Sequence, residues 1–404
     1  MNSPKNDATE PFLIFGSPLI EQAEIDEVVA CMRSGWLGTG PRVAQFERDF
    51  AAYTGSKHAI AVDSATAGMH LTLIALGIGP GDEVITTPTT FAATVNVIIH
   101  AGATPVLADI RLDDYCIDPT AIERAITPRT KAIMPVHHAG SACRMDEMAA
   151  IADAHNLRVI GDAAHALGTQ IGGESIGAIG DAEVFSFYPT KNVTSGRGGM
   201  LTTDDDALAE RARLLSLHGM SNDAWDRYTA RGSWAYQVLA AGYNYAMSDY
   251  QAALGAAQFA RLGAFQRRRR ALAERYTARF AMIPAIITPI ERAGTTHAWH
   301  LYVVRVDTEQ LDIGRDAFIE ELRAHNVGTS VHFIPIHHHP YYREAYGWAP
   351  GDFPMSDMAF ESMISLPLYT RMTEQDIDRV AGAVEDIVRR HRRTTAAPDT
   401  TQGG

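Results

Sequence analysis

Residues 181–199 read Asp181-Ala-Glu-Val-Phe-Ser-Phe-Tyr-Pro-Thr-Lys191-Asn-Val-Thr-Ser-Gly-Arg-Gly-Gly199, and this stretch does most to decide the fold. An apolar run over 182–187 enters a Pro-Thr-Lys turn, and a glycine-rich turn then feeds a second apolar run at 199–202. A short strand apolar on both faces needs cover on both faces, which is the habit of a parallel sheet between helical layers. That strand would deliver Ser186 and then Lys191 to its carboxyl end. A lysine there is placed to form a Schiff base, because a desolvated amine near other cations gives up its proton more readily. Taken alone, a loop lysine of this kind is more often simply solvated.

Outward from that segment the same texture repeats. Strands are expected at 58–62, 83–86, 104–108, 131–136, 158–161, 182–187 and 199–202. Between them, segments such as 67–76 and 145–155 carry apolar residues at helical spacing. The alternation predicts an α/β domain with a mostly parallel central sheet, in which ligands bind beyond the carboxyl ends of the strands. After about residue 255 come a charged helix over 265–280, a strand over 300–306 and helices over 315–325 and 374–391. We therefore expect a large domain at 12–255 and a smaller C-terminal α+β domain at 256–392, with residues 1–11 and 393–404 disordered.

Composition narrows the function. With 35 Lys plus Arg against 48 Asp plus Glu, the formal charge of -13 disfavours nucleic acid and anionic membrane surfaces as partners. Cys31, Cys116 and Cys143 form no CxxC pair, so neither a disulfide framework nor a zinc site is signalled. The N-terminus lacks a signal-peptide pattern and no apolar run would span a bilayer, which points to a cytoplasmic protein. Adjacent histidines His337, His338 and His339, with His332 nearby, rarely face one ion, and HExxH spacing is absent, so no metal is expected.

Three further strand ends change the odds for Lys191. The run 158–161 ends in Asp162-Ala-Ala-His165, and an ionised carboxylate at that point suits a protonated pyridine nitrogen, although a helix cap explains it as well. His165 fits either a ring hydroxyl or a satisfied core position. The run 58–62 enters Asp-Ser64-Ala65-Thr66-Ala67, where a helix start offers free N–H groups and hydroxyls to a phosphate. Neither GxxxxGK[ST] nor GxGxxG occurs. Thr89-Thr90-Phe91-Ala-Ala-Thr94 follows another strand, and Phe91 is a candidate shelf for a flat ring. Together the four strand ends call for one cofactor with an aldehyde, a pyridine nitrogen, a phosphate and a ring face.

At these residues the chain resembles the DegT/StrS-type sugar aminotransferases, pyridoxal 5'-phosphate (PLP) enzymes of fold type I. The resemblance runs from about residue 18 to 387 through SGWLGTGPRVAQFE, GIGPGDEVITTPTTFAAT, IDPTAIERAITPRTKAIMPVHHAG, DAAHALG, FSFYPTKN, LHGMSNDAWDRY, GYNYAMSDYQAALG and TSVHFIPIHHHPYYRE. It implies that Lys191 is the Schiff-base lysine, Asp162 the pyridine-nitrogen partner and Phe91 the stacking residue. Ala65, Thr66 and Ser186 fall at phosphate-contact positions. Asn244 matches a residue that reaches the phosphate from the neighbouring subunit, which implies a homodimer with shared active sites. Trp36 and His332 are candidate sugar-nucleotide-lining residues. Three departures stand out: Ala65 replaces a frequent Gly, Gly196-Arg197-Gly198-Gly199 stands where relatives often have GEGG, and Ala246 replaces an Arg after GYNY. Arg197 is a candidate to compensate for that lost Arg.

The resemblance further implies ping-pong amino transfer from L-glutamate to a nucleotide-linked keto sugar, with two segments leaning to a UDP-linked 4-keto-6-deoxy hexose. C3-keto sugars and keto cyclitols stay open as acceptors. A PLP-dependent sugar dehydratase would carry histidine in place of Lys191. A non-catalytic PLP-fold regulator would have lost Lys191 or Asp162, or gained a DNA-binding segment.

Overall fold

The computed structural model describes residues 11–221 and 236–393. The remainder of the two terminal segments expected to be disordered, and residues 222–228 of the LHGMSNDAWDRY motif, lie outside the described residues. A seven-stranded sheet is built from β1 (His58–Val62), β2 (Glu83–Thr86), β3 (Thr104–Leu107), β4 (Thr130–Ile133), β5 (Arg158–Asp162), β8 (Ala182–Ser186) and β9 (Gly199–Thr203). Between β5 and β8 lie the two-residue strands β6 (Gln170–Ile171) and β7 (Glu174–Ser175). Sheet order is β1-β9-β8-β5-β4-β2-β3, parallel throughout except β9, which runs against both of its neighbours. β1 therefore points the same way as β8, and the carboxyl ends of β1, β2, β5 and β8 open on one edge.

Alternation along each strand sorts the side chains into two cores. Ala59, Ala61, Ile85, Ile133, Val159, Phe185 and Met200 face one way. They meet α2 (Pro41–Thr54), α6 (Met145–His155) and α8 (Asp249–Phe259) through Phe46, Phe50, Met148 and Ala252. Ile60, Val62, Val84, Ala132, Ile160, Val184 and Leu201 face the other way, onto α3 (Ala65–Ala75), α4 (Ala92–His100) and α7 (Asp206–Ser216). Helices α1 (Gln22–Ser34) and α5 (Pro119–Ala125) complete this part. The expected strand at 131–136 stops at Ile133, because Pro135 has no N–H for the ladder; only the single bridge Val136–Asp162 continues it.

A second hydrophobic cluster gathers around α9 (Leu262–Phe280), α10 (Arg315–Ala324) and α13 (Glu374–His391). Its sheet is β10 (Ile286–Ile287), β12 (Tyr302–Val306) and β13 (Met363–Leu366), with β12 central and antiparallel to both. Strand β11 (Thr295–Thr296) pairs instead with β6. Helices α11 (Pro340–Tyr346) and α12 (Pro354–Ser362) lie between β12 and β13 in sequence. Residue 255 falls inside α8, whose Ala252 and Ala253 are buried. On α9, Leu262 belongs to the first core and Leu272 to the second, so we place the junction along that helix. Leu13 also joins the second core, its N–H donating to the Asn326 carbonyl at 2.9 Å.

Candidate active site

The shared strand edge opens into a cavity of about 900 Å³. Ala65, Thr66, Phe91, Asp162, His165, Ser186, Lys191 and His332 all line it. Trp36 and Asn244 do not line the cavity of their own chain. The Trp36 indole N–H donates to the Thr39 carbonyl at 3.2 Å, and Asn244 is exposed on a backbone bridged to Leu217.

Lys191 sits in the turn after β8, its backbone N–H donating to the Tyr188 carbonyl at 2.9 Å. Part of its surface still meets solvent, yet protein surrounds the amine, and that desolvation lowers its pKa from 10.5 to about 8 against the opposing pull of Asp162. The sequence reading expected neighbouring cations to contribute. Burial does the work instead, and the Asp162 charge acts in the opposite direction.

Asp162 ends β5 and is 5% exposed. One carboxylate oxygen accepts from Thr94 Oγ1 at 2.7 Å and the other from the Ala164 N–H at 3.0 Å. Thr94 is in turn 2.7 Å from Thr90 Oγ1, so a hydroxyl chain from the β2 end fixes the carboxylate. Beneath it, fully buried His137 and Glu183 pair at 3.2 Å. Gly161 is needed there, since a β-carbon would collide with the Glu183 carboxylate.

His165 is buried and its Nδ1 accepts the Ala139 N–H at 3.2 Å, which assigns its own proton to Nε2. Desolvation, then the Lys191 charge, holds its pKa well below the usual value, so the ring is neutral. His300 stacks on it at 4.4 Å between centroids and is anchored by Asn192 Oδ1 at 3.2 Å. His332 bonds Ser365 Oγ through Nδ1 at 2.8 Å, and burial lowers its pKa to about 3.

On the opposite wall, Ser64 caps α3 by accepting the Ala67 N–H at 3.1 Å. The earlier first-turn N–H groups have no intrahelical acceptor. Close approach of β9 to this turn requires Gly199, whose β-carbon would stand 2.6 Å from the Ala65 nitrogen. Phe91 precedes α4 and leaves 63% of its surface exposed, an unusual cost for a phenyl ring unless a second flat ring covers it. Arg197 also lines the cavity, two residues before Gly199, on a backbone whose carbonyl accepts from Ser195 Oγ and Gln251 Nε2.

Sequence reasoning named Thr94 without a role and missed His300, Phe333 and Tyr369, which also line the cavity or bound it. They come from segments far along the chain, and only a histidine breaking the apolar run AWHLYVV hinted at one of them.

A buried amine of lowered pKa, a doubly held carboxylate, a free helix start and an uncovered phenyl face fit pyridoxal phosphate group for group. Comparison with known proteins agrees. Residues 18–385 match the model of the DegT/DnrJ/EryC1/StrS aminotransferase family. The chain is 52% identical over 379 residues to the spore coat polysaccharide biosynthesis protein SpsC of Bacillus subtilis, covering 94% of this chain and 97% of that protein. Spr1654 of Streptococcus pneumoniae, assigned as a sugar aminotransferase and solved in its PLP form, superposes with a TM-score of 0.87 at 32% identity, covering 94% of this chain and 99% of that one. PseC of Helicobacter pylori, an aminotransferase involved in pseudoaminic acid biosynthesis, gives 0.87 at 27% identity, covering 94% and 100%.

Proposed function

Starting from the fact that this chain belongs to the DegT/DnrJ/EryC1/StrS aminotransferase family and is a PLP-dependent sugar aminotransferase, we propose that it moves the amino group of L-glutamate to a nucleotide-linked keto sugar. The observation that carries this reading is one cavity that gathers Lys191, an Asp162 carboxylate fixed by Thr94 and Ala164, and the first turn of α3. UDP-linked 4-keto-6-deoxy hexose is the acceptor class we favour.

When bound, the cofactor supplies an electron sink for the carbon that loses a proton. Lys191 Nζ holds its aldehyde. As a free amine, Lys191 Nζ would take the donor's α-proton and, in the second half-reaction, return a proton to the acceptor carbon. A pKa lowered to about 8 leaves far more of the free amine neutral near pH 7.5 than an ordinary lysine would have. The Asp162 carboxylate, held by Thr94 and Ala164, would accept from a pyridinium N–H and keep the ring protonated. Neutral His165 offers its Nε2–H to a ring oxygen. Thr66, Ser186 and the first turn of α3 take the phosphate, and Phe91 covers one ring face.

Among the described residues lining the cavity, Lys191 and Arg197 are the cationic types. With Lys191 committed to chemistry, Arg197 is the group suited to a nucleotide diphosphate. Asn244 is exposed and does not line its own cavity, and Tyr236, Val238 and Leu239, a few residues earlier in the chain, are exposed as well. We read that surface as the seam of a cytoplasmic homodimer in which Asn244 reaches the partner's phosphate and Trp36 the shared sugar-nucleotide cleft.

Incubation with isotopically labelled glutamate and a panel of UDP- and dTDP-linked 3-keto and 4-keto sugars tests the reading by mass spectrometry. Label should appear in one amino sugar nucleotide. Amination of free keto cyclitols alone, with every nucleotide sugar untouched, would refute the acceptor class.

A further inference from the structure

Adjacent histidines were expected not to converge, yet His337 and His338 do. They occupy the 3-10 turn Ile336–His338, with ring centroids 4.6 Å apart and planes at 80°. His337 Nε2 lies 2.7 Å and His338 Nε2 2.6 Å from the same atom, Asp357 Oδ1, in the first turn of α12. One donor atom from each residue falls within 4.8 Å of the other two. Sequence reading searched for a carboxylate at helical spacing and so passed over Asp357, which lies about five helical turns further along the chain.

The cluster is held from outside. The Ile336 N–H donates to the Pro88 carbonyl at 2.9 Å, fixing the turn. Asp109 accepts from the Met355 and Ser356 N–H groups at 2.9 and 3.0 Å, and Ser356 Oγ meets Thr89 Oγ1 at 2.7 Å, fixing α12. Asp357 Oδ2 accepts the Gly351 N–H at 2.6 Å, orienting the carboxylate as the outer hydrogen bonds of metal sites do. His337 is fully buried, while His338 and Asp357 keep 22% and 15% of their side-chain surface open, enough for an ion to enter and for water to complete its shell. None of the three lines the cofactor cavity.

We propose that His337, His338 and Asp357 form a binding site for a borderline divalent transition ion, Zn2+ foremost. Two imidazole nitrogens and one carboxylate oxygen are the donors such an ion prefers, with water as fourth ligand. Two ring nitrogens crowd one carboxylate oxygen, and a dication between them would take both Nε2 lone pairs, each neutral ring then carrying its proton on Nδ1. Bond lengths of about 2.0–2.2 Å to a tetrahedral ion require the oxygen to move only ~0.7 Å from each imidazole. The bound ion clamps the 336–338 turn to α12, and both rest on Pro88 and Thr89, two to three residues before the Phe91 shelf. Its role is to brace that wall of the cavity.

Zn2+ titration of the metal-stripped, PLP-loaded enzyme by calorimetry, with Co2+ absorption as a coordination probe, decides it. One ion per chain should bind with a tetrahedral Co2+ spectrum, and His338→Gln and Asp357→Asn should each weaken binding by roughly 100-fold or more while the bound-PLP absorbance stays intact. No saturable binding below ~100 µM would overturn the proposal, as would binding that both variants leave unchanged.

Discussion

Replacing Lys191 by methionine removes a buried amine that water no longer solvates, and the effect on the cofactor-free protein should be the reverse of the usual loss-of-contact mutation. The folded-state pKa is about 8 against 10.5 for a free lysine, a depression of ~2.5 units. Between these values the unfolded chain binds more protons than the folded one, so stability rises with pH through this window. Below pH 8 the folded protein carries the whole cost, about 3 kcal/mol per chain at ~1.4 kcal/mol per unit, reduced because part of Lys191 still reaches solvent. Methionine keeps the length without the charge. Urea denaturation of the cofactor-free wild type and Lys191→Met should therefore show the variant more stable by about 1–3 kcal/mol at pH 7, with the gap closing toward pH 10.5. Taking the difference between the two proteins cancels the titration of groups that do not feel Lys191, while His165, His300 and His332, whose pKa values its charge lowers, titrate below this pH window. A variant no more stable at pH 7, or a gap that does not change with pH, would refute desolvation as the origin of the lowered pKa.

Other substitutions separate binding from chemistry. Asp162→Asn keeps an oxygen for the Ala164 N–H and can turn its NH2 to Thr94 Oγ1, but it removes the charge that partners a pyridinium. The glutamate half-reaction, followed in a single turnover, should slow by at least ~100-fold, about 3 kcal/mol. Phe91→Ala costs little folding stability because the ring is mostly exposed, yet it should weaken PLP binding roughly 2- to 10-fold by equilibrium dialysis, the value of a lost stacking face. Arg197→Gln should raise KM for the nucleotide sugar about 10-fold or more with kcat and the glutamate KM little changed.

Much of the sheet was legible because its strands are short, apolar on both faces and punctuated by glycine. The runs 58–62 and 83–86 match β1 and β2 residue for residue, and 374–391 matches α13. The strand expected at 131–136 ended early at a proline, a local rule that the hydrophobic run concealed. Lys191, Asp162, Thr66 and Phe91 were legible as a set because each follows a strand, and parallel topology brings such ends together without any knowledge of side-chain packing. His300 and Phe333 were not, since they depend on how the C-terminal segments fold back over that edge, and the Thr90–Thr94 hydroxyl chain was not, since its link to Asp162 depends on side-chain packing at the strand ends. Convergence of His337 and His338 on Asp357 escaped for the same reason: local spacing says nothing about a carboxylate delivered by another helix.

The central claim, that Lys191 holds pyridoxal phosphate for amino transfer, is tested most directly by the near-ultraviolet and visible absorbance of the PLP-reconstituted protein before and after glutamate. Wild type should show the band of a lysine-bound cofactor, lose it on adding glutamate in favour of the pyridoxamine form, and regain it with the keto sugar. Lys191→Ala should lack the initial band. A wild type that binds PLP without that band, or a band that persists in Lys191→Ala, would contradict the account.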